Sequence, residues 1–217
     1  MLNPNLDSPD DLVQFKFLGI LLGVAMRTKK PLDLYLAPFV WKQLAAMSVS
    51  ALDLEEVDLL FVQNMRGIST IEESGVTEET FNEVHTAANQ RKCDVTLSCA
   101  RDLLLQVIPL DCFEAQSSDG SFVPVIPGGR SVPLTFSNRQ EYATRALEYR
   151  LHEFDRQVAA VREGMSWIVP VPLLSLLSAL NIERLVCGMP EVPVSVLRKV
   201  VRFAKGAHGL IDVFQTN

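Results

Sequence analysis

The chain is short of the residue types that carry most site chemistry. Its 217 residues include four cysteines (Cys93, Cys99, Cys112 and Cys187) and three histidines (His85, His152 and His208). The cysteines form no CxxC pair and no dense disulfide framework, so a reduced, intracellular chain is the simplest reading. His85, Cys93, Cys99 and Cys112 lack the paired knuckles of a zinc site, and no metal is expected. There is no HExxH, Walker or GxSxG pattern and no dinucleotide fingerprint, which leaves out several enzyme classes by motif and gives no reason to expect a cofactor. Gly128-Gly129 reads as a turn, because no long helix begins directly after it. No basic stripe is present and the formal net charge is −6, so a nucleic-acid backbone is a poor partner. The N-terminus has no basic n-region and no apolar h-region, and no signal peptide is expected. The apolar stretch from Phe17 to Met26 is far short of the roughly 20 residues that span a bilayer, so a soluble chain is expected.

What is present is an ordinary globular mix, 48% hydrophobic and 21% charged, in a chain long enough for one sizeable core or two small ones. Ser8, Pro9, Asp10 and Asp11 predict the start of a helix that runs to about Thr28, ahead of Pro31. Gly19 and Gly23 lie four apart on it and predict close approach by another element. Pro38 opens a second helix. Asp53 and Glu56 resemble a capping box for a third, on which Val57, Leu60, Phe61, Met65 and Ile68 fall on one face and Leu59 and Val62 on another. Two apolar patches on one helix predict either a second buried layer or a partner. Turn signals at residues 117–120 and 127–129 bracket Phe122–Ile126 and Ser131–Phe136, which predict a small hairpin or meander. Ser137 and Gln140 predict the start of a long helix through Tyr142 and Val161, stopped by Gly164. Residues 167–172 predict a rigid extended connector. Short helices follow over Leu173–Leu177 and around Ile182–Val186, with a last one over about Val194–Phe203. Cys187, at a helix C-terminus among apolar residues, reads as a structural thiol, since that end of the dipole disfavours a thiolate. Glu148, Glu153 and Asp155 read as solvated helix charges. The fold class expected is α+β, predominantly α-helical with a small antiparallel β element.

Several stretches match one pattern in order. Phe17-Leu18-Gly19-Ile20-Leu21-Leu22-Gly23-Val24-Ala25 followed by Pro31-Leu32-Asp33-Leu34 resembles a signature of the HECT N-lobe, the lobe of HECT-domain ubiquitin ligases that recruits the conjugating enzyme. Val132-Pro133-Leu134-Thr135, Asn138, Glu141-Tyr142 and Tyr149-Arg150-Leu151 resemble a second. Gln157, Gly164-Met165, Ile168-Val169-Pro170, Leu173-Leu174 and Leu185-Val186-Cys187-Gly188 continue it. The wording of Ile108-Pro109-Leu110-Asp111, Ile126-Pro127-Gly128-Gly129 and residues 161–167 is similar to the giant HECT ligases that also carry propeller-like repeats.

The resemblance implies a partial HECT N-lobe over residues 1–203, with a conjugating-enzyme-docking subdomain at about 50–125, an unmatched insert at 85–107, a divergent tail at 204–217 and no C-lobe. In this family ubiquitin passes from a conjugating enzyme to a C-lobe cysteine as a thioester, and then to a substrate lysine. It implies docking or groove-shaping by Leu59, Phe61, Val62, Met65 and Ile68, and partners in a ubiquitin-conjugating enzyme, ubiquitin and, through other parts of the parent protein, a substrate. None of the four cysteines matches the catalytic motif, so the chain alone is expected to form no thioester. A cytoplasmic or nuclear location is expected. The alternatives are a decoy that holds the conjugating enzyme without discharging it, and a non-functional truncated product. An aberrantly spliced or mispredicted transcript would account for both insert and tail.

Overall fold

A computed structural model of the chain describes residues 2–81, 112–189 and 194–200. The insert expected at 85–107 and the tail expected at 204–217 lie outside the described residues. Nine α-helices with both bounds given, two short 3-10 turns and one two-stranded antiparallel sheet are found among the described residues, and residues 78–81 are helical as well. The expected class, mostly helical α+β with a small antiparallel element, is the one observed.

Helix α1 spans Pro9–Thr28 and starts as its sequence predicts. Ser8 Oγ accepts from the Asp11 amide at 3.2 Å, and the Asp11 carboxylate accepts from Ser8 in return. This reciprocal box satisfies amides that the first turn leaves without partners. α2 (Pro38–Leu44) inserts Phe39, Val40, Trp41 and Leu44 into the core. α3 (Ala51–Glu55) and α4 (Leu59–Ser69) replace the single third helix expected. Two caps explain the break. Ser50 and Asp53 box the start of α3, so Asp53 is the inner member of that box. Asp58 Oδ1 then accepts the Phe61 amide at 3.1 Å and restarts the chain as α4.

Strands β1 (Glu114–Gln116) and β2 (Phe122–Pro124) pair in antiparallel register, with Ala115 opposite Val123. The expected strand at Ser131–Phe136 is reduced to one bridge, Pro133 with Cys112. Pro133, which has no amide N–H, and the 3-10 turn at Gly129–Ser131 leave too few ladder donors for more.

The long helix expected from Ser137 to Gly164 is two helices, α5 (Arg139–His152) and α6 (Asp155–Ser166). Asn138 takes the N-cap position of α5, and its Oδ1 accepts the Thr135 amide at 2.7 Å. The break comes at Glu153 and Phe154, whose side chains are both fully buried. Turning both inward bends the chain, so that α5 packs on one cluster and α6 on the other. Gly164 does not stop α6. It lies inside it, against α1. A Cβ at Gly164 would stand 1.9 Å from the Lys16 carbonyl oxygen, and one at Gly19 would stand 1.9 Å from the Val161 carbonyl oxygen. The two glycines therefore let the two backbones touch, as the sequence predicts for Gly19. α7 (Val171–Leu174) begins within the stretch expected to be an extended connector. α8 (Ala179–Cys187) ends at Gly188, whose φ of 80° suits glycine. α9 is described over Val194–Val200.

Two apolar clusters result. The first joins Leu22 and Met26 of α1, α2, Val158, Val161 and Met165 of α6, Leu174 of α7, and Ile182 and Val186 of α8. The second joins Leu54, four residues of α4, Phe113, Ala115, Leu134, and Tyr142, Ala143 and Ala146 of α5. No helix among the described residues is long and apolar enough to cross a membrane.

Candidate docking face

The second cluster places α4 on the outside of the molecule with one face sealed. Phe61, Val62, Met65 and Ile68 are buried, with Val62 at 0% exposure. Leu59 and Leu60 are exposed at 48% and 69%. On a helical wheel the buried four span about 120°, and Leu59, Leu60, Gln63 and Gly67 lie opposite them. All four of these are exposed, and a Cβ added at Gly67 would meet nothing within 4 Å. The two apolar faces expected from sequence are present, with two residues exchanged between them. Leu60 belongs to the outer face and Val62 to the inner one. The two lie on opposite edges of the buried stripe, and the packing of α4 on α5 takes Val62 inside and leaves Leu60 outside.

The expected docking residues thus occupy two depths. Leu59 reaches solvent. Phe61, Val62, Met65 and Ile68 form the floor beneath it. Leu60, which the periodicity groups on one face with Phe61, Met65 and Ile68, is the most exposed apolar side chain of α4. Arg66 borders the face and holds α3 to α4 through a two-pronged ion pair with Glu55, at 3.0 and 2.7 Å. Bidentate geometry of this kind orients both partners. α3 adds a further exposed leucine, Leu52, at 68%.

The start of α4 is also where charge is concentrated. Arg150 on α5 is 2% exposed and pairs with Asp58 at 2.6 Å and with Glu153 at 3.1 Å. Glu153, expected to be solvated, has a side chain that is 0% exposed and also accepts from Ser117 Oγ and the Ser118 amide. Asp58, Arg150 and Ser117 line a cleft of about 580 Å³ that opens beside the sheet turn. Sequence reasoning missed this cluster. The one legible signal was Asp58 itself, a capping residue immediately before an apolar run.

Two cysteines lie among the described residues. Cys187 Sγ donates to the Leu34 carbonyl oxygen at 3.5 Å. Burial pushes its pKa up, and the nearby Glu183 and Asp33 charges add to this against the Leu34 contact. It has the character of a structural thiol, as expected from its helix-end position. Cys112 is half-buried at the bridge to Pro133 and lies 3.5 Å from Glu114 Oε2. Among the described residues no group of three or more His, Cys, Asp or Glu side chains could hold a metal ion.

The chain is similar to large proteins of one kind. It is 39% identical over 203 residues to the E3 ubiquitin-protein ligase HERC2 of Mus musculus, covering 94% of this chain and 4% of that protein. It is 26% identical over 196 residues to the E3 ubiquitin-protein ligase ptr1 of Schizosaccharomyces pombe, covering 88% of this chain and 5% of the relative. It is 26% identical over 207 residues to the E3 ubiquitin-protein ligase HACE1 of Bos taurus, covering 94% and 20% respectively. The chain thus spans a small part of the length of each. A model of the HECT domain (ubiquitin-transferase) matches residues 1–216. With the fold described above and a match across almost all of its length, the chain belongs to the HECT-domain family.

Proposed function

We propose that this chain supplies the docking lobe of a HECT-type ubiquitin-protein ligase, and that the outer face of α4 receives the ubiquitin-conjugating enzyme. The observation that carries the reading is the two-depth arrangement of α4. Leu59 and Leu60 stand in solvent above a floor of Phe61, Val62, Met65 and Ile68. Adjacent apolar side chains with a charged border suit a small, transient protein contact. The ubiquitin thioester on the conjugating enzyme is attacked by a ligase cysteine, which releases the conjugating enzyme's thiol. A substrate lysine amine then attacks the new thioester and expels the ligase thiolate. That cysteine lies outside this chain in the proposal. Its partners are the conjugating enzyme, ubiquitin and a protein substrate, in the cytoplasm or nucleus.

The test is a binding titration with the chain and a panel of conjugating-enzyme catalytic domains. Leu60→Asp, at 69% exposure, should leave folding intact and weaken binding by about tenfold or more, a change typical of a central contact residue. Val62→Asp is unsuitable, because it buries a carboxylate in the core. Unchanged affinity in a folded Leu60→Asp chain would refute the assignment of the face.

A second reading, a binding module that holds charged conjugating enzyme without accepting its ubiquitin, is favoured by the Cys187 thiol. Burial and nearby carboxylates hold that thiol in its unreactive form. Incubation with activating enzyme, conjugating enzyme and ubiquitin separates the two. A thiol-sensitive ubiquitin adduct on this chain would refute the binding-module reading.

A further inference from the structure

Arg150 occupies an unusual position for a charged residue. It is 2% exposed, yet it lies on α5 with its guanidinium directed at the first turn of α4. Nη2 donates to Asp58 Oδ2 at 2.6 Å. Nη1 donates to both oxygens of Glu153, at 3.1 and 3.3 Å. The guanidinium carbon stands 4.9 Å from the centre of the Phe61 ring. One cation therefore sits between two carboxylates and against an aromatic face.

Each carboxylate does a second job. Asp58 Oδ1 accepts the Phe61 amide at 3.1 Å and so caps α4. Glu153 Oε2 accepts from Ser117 Oγ at 3.0 Å and from the Ser118 amide at 3.1 Å, which fixes the turn between the strands. The guanidinium is thus the link between the helix cap and the sheet turn. Leu59 and Leu60 are the first two residues of α4, directly after Asp58. Any shift of that carboxylate is a shift of the face they form.

We propose that Arg150 is a positioning residue for the α4 face: it holds the cap of α4 to the sheet turn and thereby sets the direction of Leu59 and Leu60. The inference rests on the docking reading given above. A buried apolar side chain would fill the same space without fixing a direction. The planar fork of arginine grips carboxylates on two different elements at fixed angles, which a lysine cannot reproduce.

The test uses the full 217-residue chain with Arg150→Met, Arg150→Lys, Asp58→Asn and the double variant Asp58→Asn/Arg150→Met. The probe is the conjugating-enzyme catalytic domain that binds the parent chain most tightly in a panel. Affinity is measured well below each variant's unfolding transition, and amide hydrogen exchange is followed in parallel. Arg150→Met should weaken binding on the order of tenfold, within the range for coupled neighbours. Exchange should quicken at the amides of Phe61 and Val62, which bond to Asp58, and stay unchanged in α1 and α6. Asp58→Asn keeps an oxygen for the cap but loses the ion pair, and it should reproduce both effects. The double variant should be no worse than Arg150→Met alone. Arg150→Lys should restore only part of the affinity. Should Arg150→Met fail to fold, Asp58→Asn tests the same link without opening a hole in the core.

Affinity and local exchange that match the parent in folded Asp58→Asn and Arg150→Lys would overturn the proposal. So would faster exchange spread evenly over both clusters, the signature of a merely stabilising residue. A parent chain that binds no member of the panel overturns the docking reading and the docking part of this inference. In that case the exchange at Phe61 and Val62 still upholds or overturns the clamp itself.

Discussion

Asp53 shows how one side chain serves several ends. Its carboxylate accepts the Ser50 amide at 2.9 Å and the Ser50 hydroxyl at 3.1 Å, and it pairs with Lys42 of α2. Burial opposes ionisation, but the Lys42 ammonium and the two Ser50 bonds outweigh it and hold the pKa below the usual carboxylate value. A depressed folded-state pKa means that the stabilisation is complete above the unfolded value, near pH 4. It is lost as pH falls through the folded value. Asp53→Asn keeps a cap acceptor and loses the charge. Its stability deficit should be about 1 kcal/mol at neutral pH and should shrink towards zero in acid. Thermal unfolding of both chains between roughly pH 6 and pH 3 measures this, and a deficit independent of pH would sink it. The same residue shows the limit of pattern reading. Asp53 was legible as a capping residue, but its place inside the Ser50 box depends on where α3 starts. Leu60 is a parallel case, since it lies at the edge of the apolar stripe and only the packing of α4 on α5 decides that it faces out.

At the scale of elements, the contact between α1 and α6 organises the first cluster. Gly19 and Gly164 face each other's backbones there, and neither position has room for a Cβ. Gly19→Ala should push the helices apart and destabilise the chain by about 2 kcal/mol, the usual cost of overpacking a closed core. Gly67→Ala on the open face of α4 meets nothing and should stabilise by up to about 1 kcal/mol, the helix-propensity gain. Urea unfolding of the two variants checks both signs, and a Gly19→Ala chain as stable as the parent would show that the contact is loose. The close approach at Gly19 was readable because a small residue in an apolar helix has few other uses. The partner at Gly164 was misread as a stop, because glycine ends helices as readily as it lets them touch. Likewise the split between α5 and α6 was hidden. Nothing local marks Glu153 and Phe154 as a break until Arg150 and the sheet turn are in place to receive Glu153.

Across the whole molecule, the described surface carries a second apolar stripe. Val13, Phe17, Leu21 and Val24 of α1 are exposed at 62%, 59%, 39% and 40% and fall within about 80° of one another on the helix. A continuous stripe of this kind favours association. Light scattering of the isolated chain should show self-association that rises with concentration, and Val13→Lys/Phe17→Lys should suppress it. A parent chain that stays monomeric over the same range would count against that. Much of the architecture was open to reading from sequence alone. Caps, prolines, apolar periodicity and the ordered series of family motifs are local or linear, and they determined the starts of α1 and α2, the mostly helical class and the family. The tertiary structure alone decided which apolar residues face solvent, that Glu153 and Arg150 are buried together, and that one long helix is two. Those outcomes depend on residues far apart in the chain competing for the same space. Burial, unlike capping, is a property of the neighbours and not of the segment.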